Sequence, residues 1–297
     1  MTQKTTAHLA LLATNIFFAI NYTAIKYLVN GGFVKPFGLN LVRVGVSAIM
    51  FWALFFFRPR KVVVAKKDVG RFFLCAIAGI AINQLLFVKG LSLTYPIHAS
   101  LLLLITPILI TIFAARILKE RLNNFKLMGL AMGIAGALVL VLAKENSGDA
   151  SAVLLGDVLI FINAVSYTFY FVLVKPLMKA YDPIMVLRIV FTIGFFIILP
   201  FCFREFTEIS WQAYAGKELT ILGLIVIGGT FLAYLFNIYG IKVLGASVAG
   251  AYIYSQPLFA ATTAVFFLGE ELNAYKVFAG ILIFAGVYLA NKKTNNA

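Results

Sequence analysis

Apolar residues fill this chain in runs of about twenty, broken by charge, proline or glycine and showing neither the period-two alternation of strands nor one-sided helical amphipathicity. Runs of that length match helices that cross a bilayer. They predict an all-α, polytopic membrane protein with ten spans, near 7–28, 37–57, 70–89, 97–117, 125–143, 153–174, 184–203, 219–239, 247–268 and 275–291. The connections carry turn signals at Asn30-Gly31-Gly32, Ser147-Gly148-Asp149, Asp182-Pro183 and Leu244-Gly245.

The pattern also repeats at a shift of 150 positions. Gly90, Ala99, Pro107, Leu118, Glu120, Leu122, Asn123, Lys126 and Gly136 return as Gly240, Ala249, Pro257, Leu268, Glu270, Leu272, Asn273, Lys276 and Gly286. Residues 1–146 and 151–297 therefore read as two five-helix repeats. An odd number of spans in each makes the second inverted relative to the first, with a site expected at their interface.

Composition supports the membrane reading. The hydrophobic fraction is 62% and charged residues are 12%, which leaves no room for a soluble domain. A net charge of +14 would suggest nucleic acid in a soluble protein, but here topology accounts for it. Lys4, the cluster from Arg58 to Arg71, the cluster from Arg116 to Lys126, the group from Lys175 to Arg188, Lys242, Lys292 and Lys293 fall on the N-terminal side. Lys26, Lys35, Lys89, Lys144, Arg204, Lys217 and Lys276 fall on the other. This excess places both termini in the cytoplasm. The N-terminal apolar run, interrupted by Asn15 and Asn21, reads as a retained first span and not a cleaved signal. Cys75 and Cys202 lie in apolar stretches and suggest neither a disulfide nor a metal site.

The segments Lys89–Leu122 and Tyr239–Leu272, each closing on a Leu-x-Glu-x-Leu pentad after a mid-span proline, resemble the repeated element of the EamA-type drug/metabolite transporter superfamily. Arg43 and the cluster Asn163 to Tyr167 sit where that family tends to carry an arginine and a small-polar-aromatic group. Lys119 departs from its usual glycine. The resemblance implies a ten-helix carrier in a bacterial-type plasma (inner) membrane, moving small metabolites or amino acids by alternating access, often outward.

Polar groups inside spans mark where such a carrier would hold its substrate, because an amide facing lipid leaves its donors unsatisfied. Asn15, Asn83, His98, Thr106, Tyr167, Tyr170, Asn237, Tyr252, Ser255 and Gln256 are the expected cavity residues, and Pro107 and Pro257 the expected hinges. Gln84, Asn163, Tyr234 and Tyr254 are further polar groups near the interior, any of which could instead join helices. All eleven carboxylates fall in loops or near span ends, so none is expected at the midplane, which argues against an organic-cation exchanger. Arg43 lies inside its span and must snorkel, pair or face the cavity. Gly129-x-x-x-Gly133 permits close helix approach within the chain.

The expected partners are a small-molecule substrate and the bilayer, with no cofactor, metal or nucleic acid, in a monomer or weak homodimer. The resemblance makes amino acids the leading substrate class, and the excess of cationic over anionic groups near the interior makes a substrate carboxylate or phosphate the natural partner. A carrier of phosphorylated or other anionic metabolites is the alternative. An intramembrane lipid-modifying enzyme would need paired acid and base groups or a metal cluster in the bilayer, which the sequence does not offer, so catalytic residues are not expected.

Overall fold

In the computed structural model, the described residues are 2–57, 64–106, 150–245, 249–250 and 252–291, with isolated positions between 109 and 139. Pro107, Glu120, Gly133 and the turn Ser147-Gly148-Asp149 lie outside them. Among the described residues the chain is helical and has no strand.

The helices are α1 (Gln3–Asn30), α2 (Pro36–Phe57), α3 (Lys66–Leu93), α4 (Pro96–Leu102), α5 (Ala150–Ala180), α6 (Pro183–Thr207), α7 (Gly216–Leu244), α8 (Gln256–Leu268) and α9 (Ala274–Asn291). Six of them, α1, α2, α3, α5, α6 and α7, are long and apolar enough to cross a bilayer. This is an integral membrane protein. Large side chains such as Ile49, Phe196, Leu258, Phe266 and Phe267 point outward, as a lipid-facing surface requires.

Several helices run past the apolar stretches that predicted them: α1 begins at Gln3, not near residue 7, and α5 reaches Ala180, not 174. Backbone groups must stay paired until they meet water, so polar end residues continue the helix. The ends follow local chemistry. The Thr2 hydroxyl accepts from the Thr5 amide at the start of α1, and the Asp182 carboxylate accepts from the Ile184 amide ahead of α6, where Pro183 sits in the first turn. Gly245 at φ +89° and Gly269 at φ +66° end α7 and α8 in backbone space that side chains disfavour.

Two long helices are not α-helical throughout. Ile77–Ile82 in α3 and Leu224–Leu232 in α7 are π-helical. A π segment inserts extra residues into a turn and leaves carbonyls without their usual partner. Here side chains from other helices meet some of those carbonyls, as described below.

The bundle is held by close backbone approach. A Cβ at Gly90 would lie 2.9 Å from the Gly156 carbonyl oxygen, and one at Gly156 would lie 2.8 Å from that of Gly90, so α3 and α5 cross with nothing but hydrogen between them. A Cβ at Gly240 would meet Leu11 at 2.4 Å where α7 packs on α1. Helix α2 lies along α6, with Phe51 between Phe191 and Phe231 at ring separations of 5.0 and 4.8 Å. Helix α1 also packs on α8, and α5 on α4.

Candidate functional site

The residues that follow the two π segments, Asn83 and Gln84 in α3 and Tyr234 in α7, help to line a narrow cavity of about 60 Å³. Its walls come from α1 (Phe18, Asn21, Tyr22), α2 (Arg43), α3 (Asn83, Gln84, Phe87), the stretch after α4 (Leu103, Thr106), α5 (Asn163, Tyr167), α7 (Tyr234) and the start of the α8 region (Ile253, Gln256). Aromatic and aliphatic faces alternate there with amides and hydroxyls.

The polar side chains are fixed by the irregular backbone. On the α3 side, Asn163 Nδ2 donates to the Asn83 carbonyl at 2.7 Å and Ser166 Oγ to the Ala78 carbonyl at 2.7 Å, so α5 satisfies oxygens at and beside the π segment. On the α7 side, Thr230 Oγ1 donates to the Ile225 carbonyl at 2.9 Å, and the Thr14 hydroxyl is shared between the Ala10 carbonyl of its own helix at 2.9 Å and the Ala233 carbonyl at 3.3 Å. Thr230 Oγ1 in turn accepts from Arg43 Nε at 3.0 Å. Arg43 is 2% exposed, so its charge has left water; it does not snorkel but faces the cavity.

A chain of hydrogen bonds closes the other walls. Tyr22 Oη donates to Gln256 Oε1 at 2.7 Å, Gln256 Nε2 to Asn15 Oδ1 at 2.6 Å, and Asn15 Nδ2 to the Leu11 carbonyl at 2.7 Å. Across the cavity Gln84 Nε2 donates to Tyr234 Oη at 2.6 Å, whose proton can serve the Gly79 carbonyl at 3.3 Å or Asn83 Oδ1 at 3.4 Å. Asn21 Oδ1 and Thr106 Oγ1 are buried with no hydrogen-bond partner among the described residues, although both belong to the lining. Arg43 is the one charged side chain among the described lining residues.

Of the residues expected from sequence, Asn83, Thr106, Tyr167 and Gln256 line the cavity, and Asn15 stands behind Gln256. Asn237 donates to Tyr167 Oη at 3.0 Å, and Tyr170 stacks on Tyr167 at 6.0 Å, so both buttress the wall from outside the lining. Tyr252 and Ser255 lie elsewhere: Tyr252 Oη pairs with His8 Nδ1 at 2.8 Å, and Ser255 Oγ donates to the Tyr252 carbonyl. Pro257 is not in mid-helix but in the first turn of α8, directly after the 3-10 turn Tyr252–Ser255, where its missing N–H costs nothing. His98 is not in the lining and lies at 0% exposure beside Asp157. Asp157 is likewise fully buried, which the sequence reading of carboxylates at span ends did not anticipate. Asn21 and Tyr22 were not among the expected cavity residues, and for Arg43 facing the cavity was one of three readings. The matched shift of 150 gave a clue for Gln84, which pairs with Tyr234 at that same spacing. Among the described residues no group of three His, Cys, Asp or Glu side chains is placed to hold a metal ion.

Comparison with known proteins gives consistent results. The profile of the EamA-like transporter family matches residues 5–142 and again 154–292. An "Uncharacterized transporter" of Archaeoglobus fulgidus is 24% identical over 96% of this chain and 98% of its own length. A "Probable terminal-alkyne amino-acid exporter" of Streptantibioticus cattleyicolor is 28% identical over 96% of this chain and 93% of its own. A solved crystal structure superposes with a TM-score of 0.61 at 20% identity, covering 94% of this chain and 96% of that one, which establishes a shared fold.

Proposed function

The chain belongs to the EamA-like transporter family, and from that premise we propose that it is a secondary carrier for small metabolites bearing a carboxylate, with amino acids the leading class. It has ten transmembrane helices in two inverted five-helix repeats, residues 1–146 and 151–297, with both termini in the cytoplasm of a bacterial-type inner membrane. It moves its substrate by alternating access, in the outward direction.

The repeat reading is supported by paired features. The π segments fall at matching positions of the two halves, and α1 packs on α7 and α8 while α5 packs on α3 and α4. Gln84 and Tyr234 touch at a sequence separation of 150, which is the behaviour of equivalent residues beside a two-fold axis. Topology reporters fused after Glu120 and after Glu270 are expected on opposite sides of the membrane. Finding both on one side overturns the inversion.

The observation that carries the substrate class is Arg43, one cation in a cavity that otherwise offers amides, hydroxyls and aromatic faces. An arginine fork matches a carboxylate with two parallel hydrogen bonds. Asn21 Oδ1 and Thr106 Oγ1, buried without described partners, are acceptors suited to an α-ammonium group. A phosphate dianion calls for more positive charge than one guanidinium supplies, which ranks phosphorylated metabolites second. The relative printed as an amino-acid exporter points the same way. Uptake of labelled amino acids into proteoliposomes tests this, with a phosphorylated-metabolite panel in parallel. Flux of amino acids above empty liposomes is expected; no flux for any of them rejects that class.

A further inference from the structure

A second recess opens at the end of the bundle where the chain begins, and it shares no lining residue with the cavity above. It is a groove of about 750 Å³ between the first turns of α1, the start of α6 and the last turns of α7. Lys4 of α1 and Lys242 of α7 both line it, and neither ammonium group has a hydrogen bond or ion pair among the described residues. The carboxylate in the lining, Asp182, is already engaged, accepting from the Ile184 amide at 3.0 Å ahead of α6. The mouth of the groove therefore carries more positive than negative charge.

The lining changes character with depth. Gln3, Lys4, Thr6 and Lys242 are exposed, whereas Ala10, Leu235 and Phe236 are half-buried and uncharged. At 1.5 Å of rise per residue, Ala10 lies about 9 Å further along α1 than Lys4, and Phe236 about 9 Å back along α7 from Lys242. Both helices are long and apolar enough to cross the bilayer, so the charged mouth sits at the membrane surface and the apolar floor inside the hydrocarbon. Tyr239 lines the groove about one turn deeper than Lys242, and its hydroxyl has no partner among the described residues. An inorganic anion or a soluble metabolite would use the mouth alone. An amphiphile with a negative head uses the mouth, the hydroxyl and the floor together.

We propose that this groove is a binding site for an anionic phospholipid, with the phosphate between Lys4 and Lys242, the glycerol esters beside Tyr239 and one acyl chain along Leu235 and Phe236. Lysines gathered at a membrane surface favour a head of net negative charge over a zwitterionic one, whose own cation they repel. The lipid bridges the ends of α1 and α7. Tyr234, the residue before Leu235, lines the carrier cavity, so the acyl chain and the cavity lie on two faces of one helical turn. The site is independent of the substrate class proposed above.

Full-length protein stripped of lipid in an uncharged detergent is titrated with phosphatidylglycerol or with phosphatidylcholine of the same chains, and binding is read by native mass spectrometry. The first phosphatidylglycerol is expected to bind about tenfold more tightly than the first phosphatidylcholine. Lys4→Gln combined with Lys242→Gln is expected to bring that ratio to about one, and Lys4→Arg combined with Lys242→Arg to retain it. Lys66→Gln combined with Lys67→Gln removes two exposed lysines at the start of α3, outside the groove, and is expected to leave the ratio unchanged. Glycerophosphoglycerol, the same head without chains, is expected to compete only at about a hundredfold higher concentration or more, because it leaves the apolar floor empty. Equal affinity for the two lipids overturns the proposal. So does a ratio that falls as far on loss of Lys66 and Lys67 as on loss of Lys4 and Lys242, or competition by the chainless head at the lipid's own concentration. None of these readings involves transport, so absence of amino-acid flux overturns the substrate class and leaves the lipid site standing.

Discussion

The two π-helical segments, Ile77–Ile82 in α3 and Leu224–Leu232 in α7, occupy matching places in the two halves and distort the backbone alike, yet they present different chemistry. Beside the first, α5 supplies Asn163 and Ser166 to the carbonyls of Asn83 and Ala78, and the helix continues into the amides Asn83 and Gln84. Beside the second, Thr230 serves the Ile225 carbonyl itself and receives Arg43, and the helix continues into Tyr234. Repetition of sequence thus yields a symmetric frame, and point differences give the cavity an amide wall and a cationic wall. Under the proposed function, this polarity is what would orient a small zwitterion, whose two charged groups need opposite surroundings.

The equivalent glycines of the two segments give the largest expected contrast. A Cβ at Gly79 would lie 2.3 Å from the Tyr170 ring, which is packed against Phe171 and Tyr167 and has no room to turn. Gly79→Val is expected to cost about 3 kcal/mol or more by overpacking and to show as loss of monodisperse protein on size exclusion. A Cβ at Gly229 meets Asn21 Cγ at 2.5 Å and Asn21 Cβ at 2.9 Å, so it displaces a buried cavity residue on α1 and not an aromatic ring. Gly229→Ala is expected to fold while losing most transport. Equal effects at the two positions would break the comparison.

Next in size is the cation. Arg43→Gln is expected to weaken substrate binding by about 10- to 100-fold, the worth of a charge-assisted hydrogen bond in a dry site, with Arg43→Lys recovering part of it, as read by competition against a labelled substrate. The pair that joins the segments comes third. A double-mutant cycle of Gln84→Leu and Tyr234→Phe is expected to return a coupling of about 0.5 to 1.5 kcal/mol in thermal unfolding; additive effects would mean the two halves do not meet through that bond.

The smallest contrast lies in the hydroxyls. Ser166→Ala and Thr230→Val each remove one bond to a π-segment carbonyl and are expected to cost about 1 kcal/mol. Only Thr230→Val is expected to alter transport as well, because Arg43 Nε loses its acceptor.

How much of this was legible in the chain depended on what periodicity records. The positions of the six long helices and the turns at Asn30-Gly31-Gly32, Asp182-Pro183 and Leu244-Gly245 followed from apolar run lengths and breakers, while the expected spans 97–117 and 125–143 fall largely outside the described residues. Which face of each span turns inward did not, since helices apolar on every side carry no amphipathic stripe to set their rotation. Asn83, Thr106, Tyr167 and Gln256 reached the cavity because an amide or hydroxyl in mid-span has few other places to go. Tyr252 and Ser255 look the same in sequence but sit one turn away, beside His8. The π segments carry no composition signal, and they rotate the residues that follow them by part of a turn, which is how Gln84 and Tyr234 come to face each other. Asp157 reads as a carboxylate near a span end; close approach at Gly90 and Gly156 seals that end and buries it against His98.

Substrate-dependent thermal stabilisation, measured on the parent protein and on Arg43→Gln with one panel of small metabolites, tests the account most directly, because ligand binding raises apparent stability whatever the coupling ion. The expected result is a rise in melting temperature for amino acids with a free carboxylate, no rise for their carboxamides, and no rise for either in Arg43→Gln. Stabilisation by compounds lacking a carboxylate, retained when Arg43 is replaced, would contradict it.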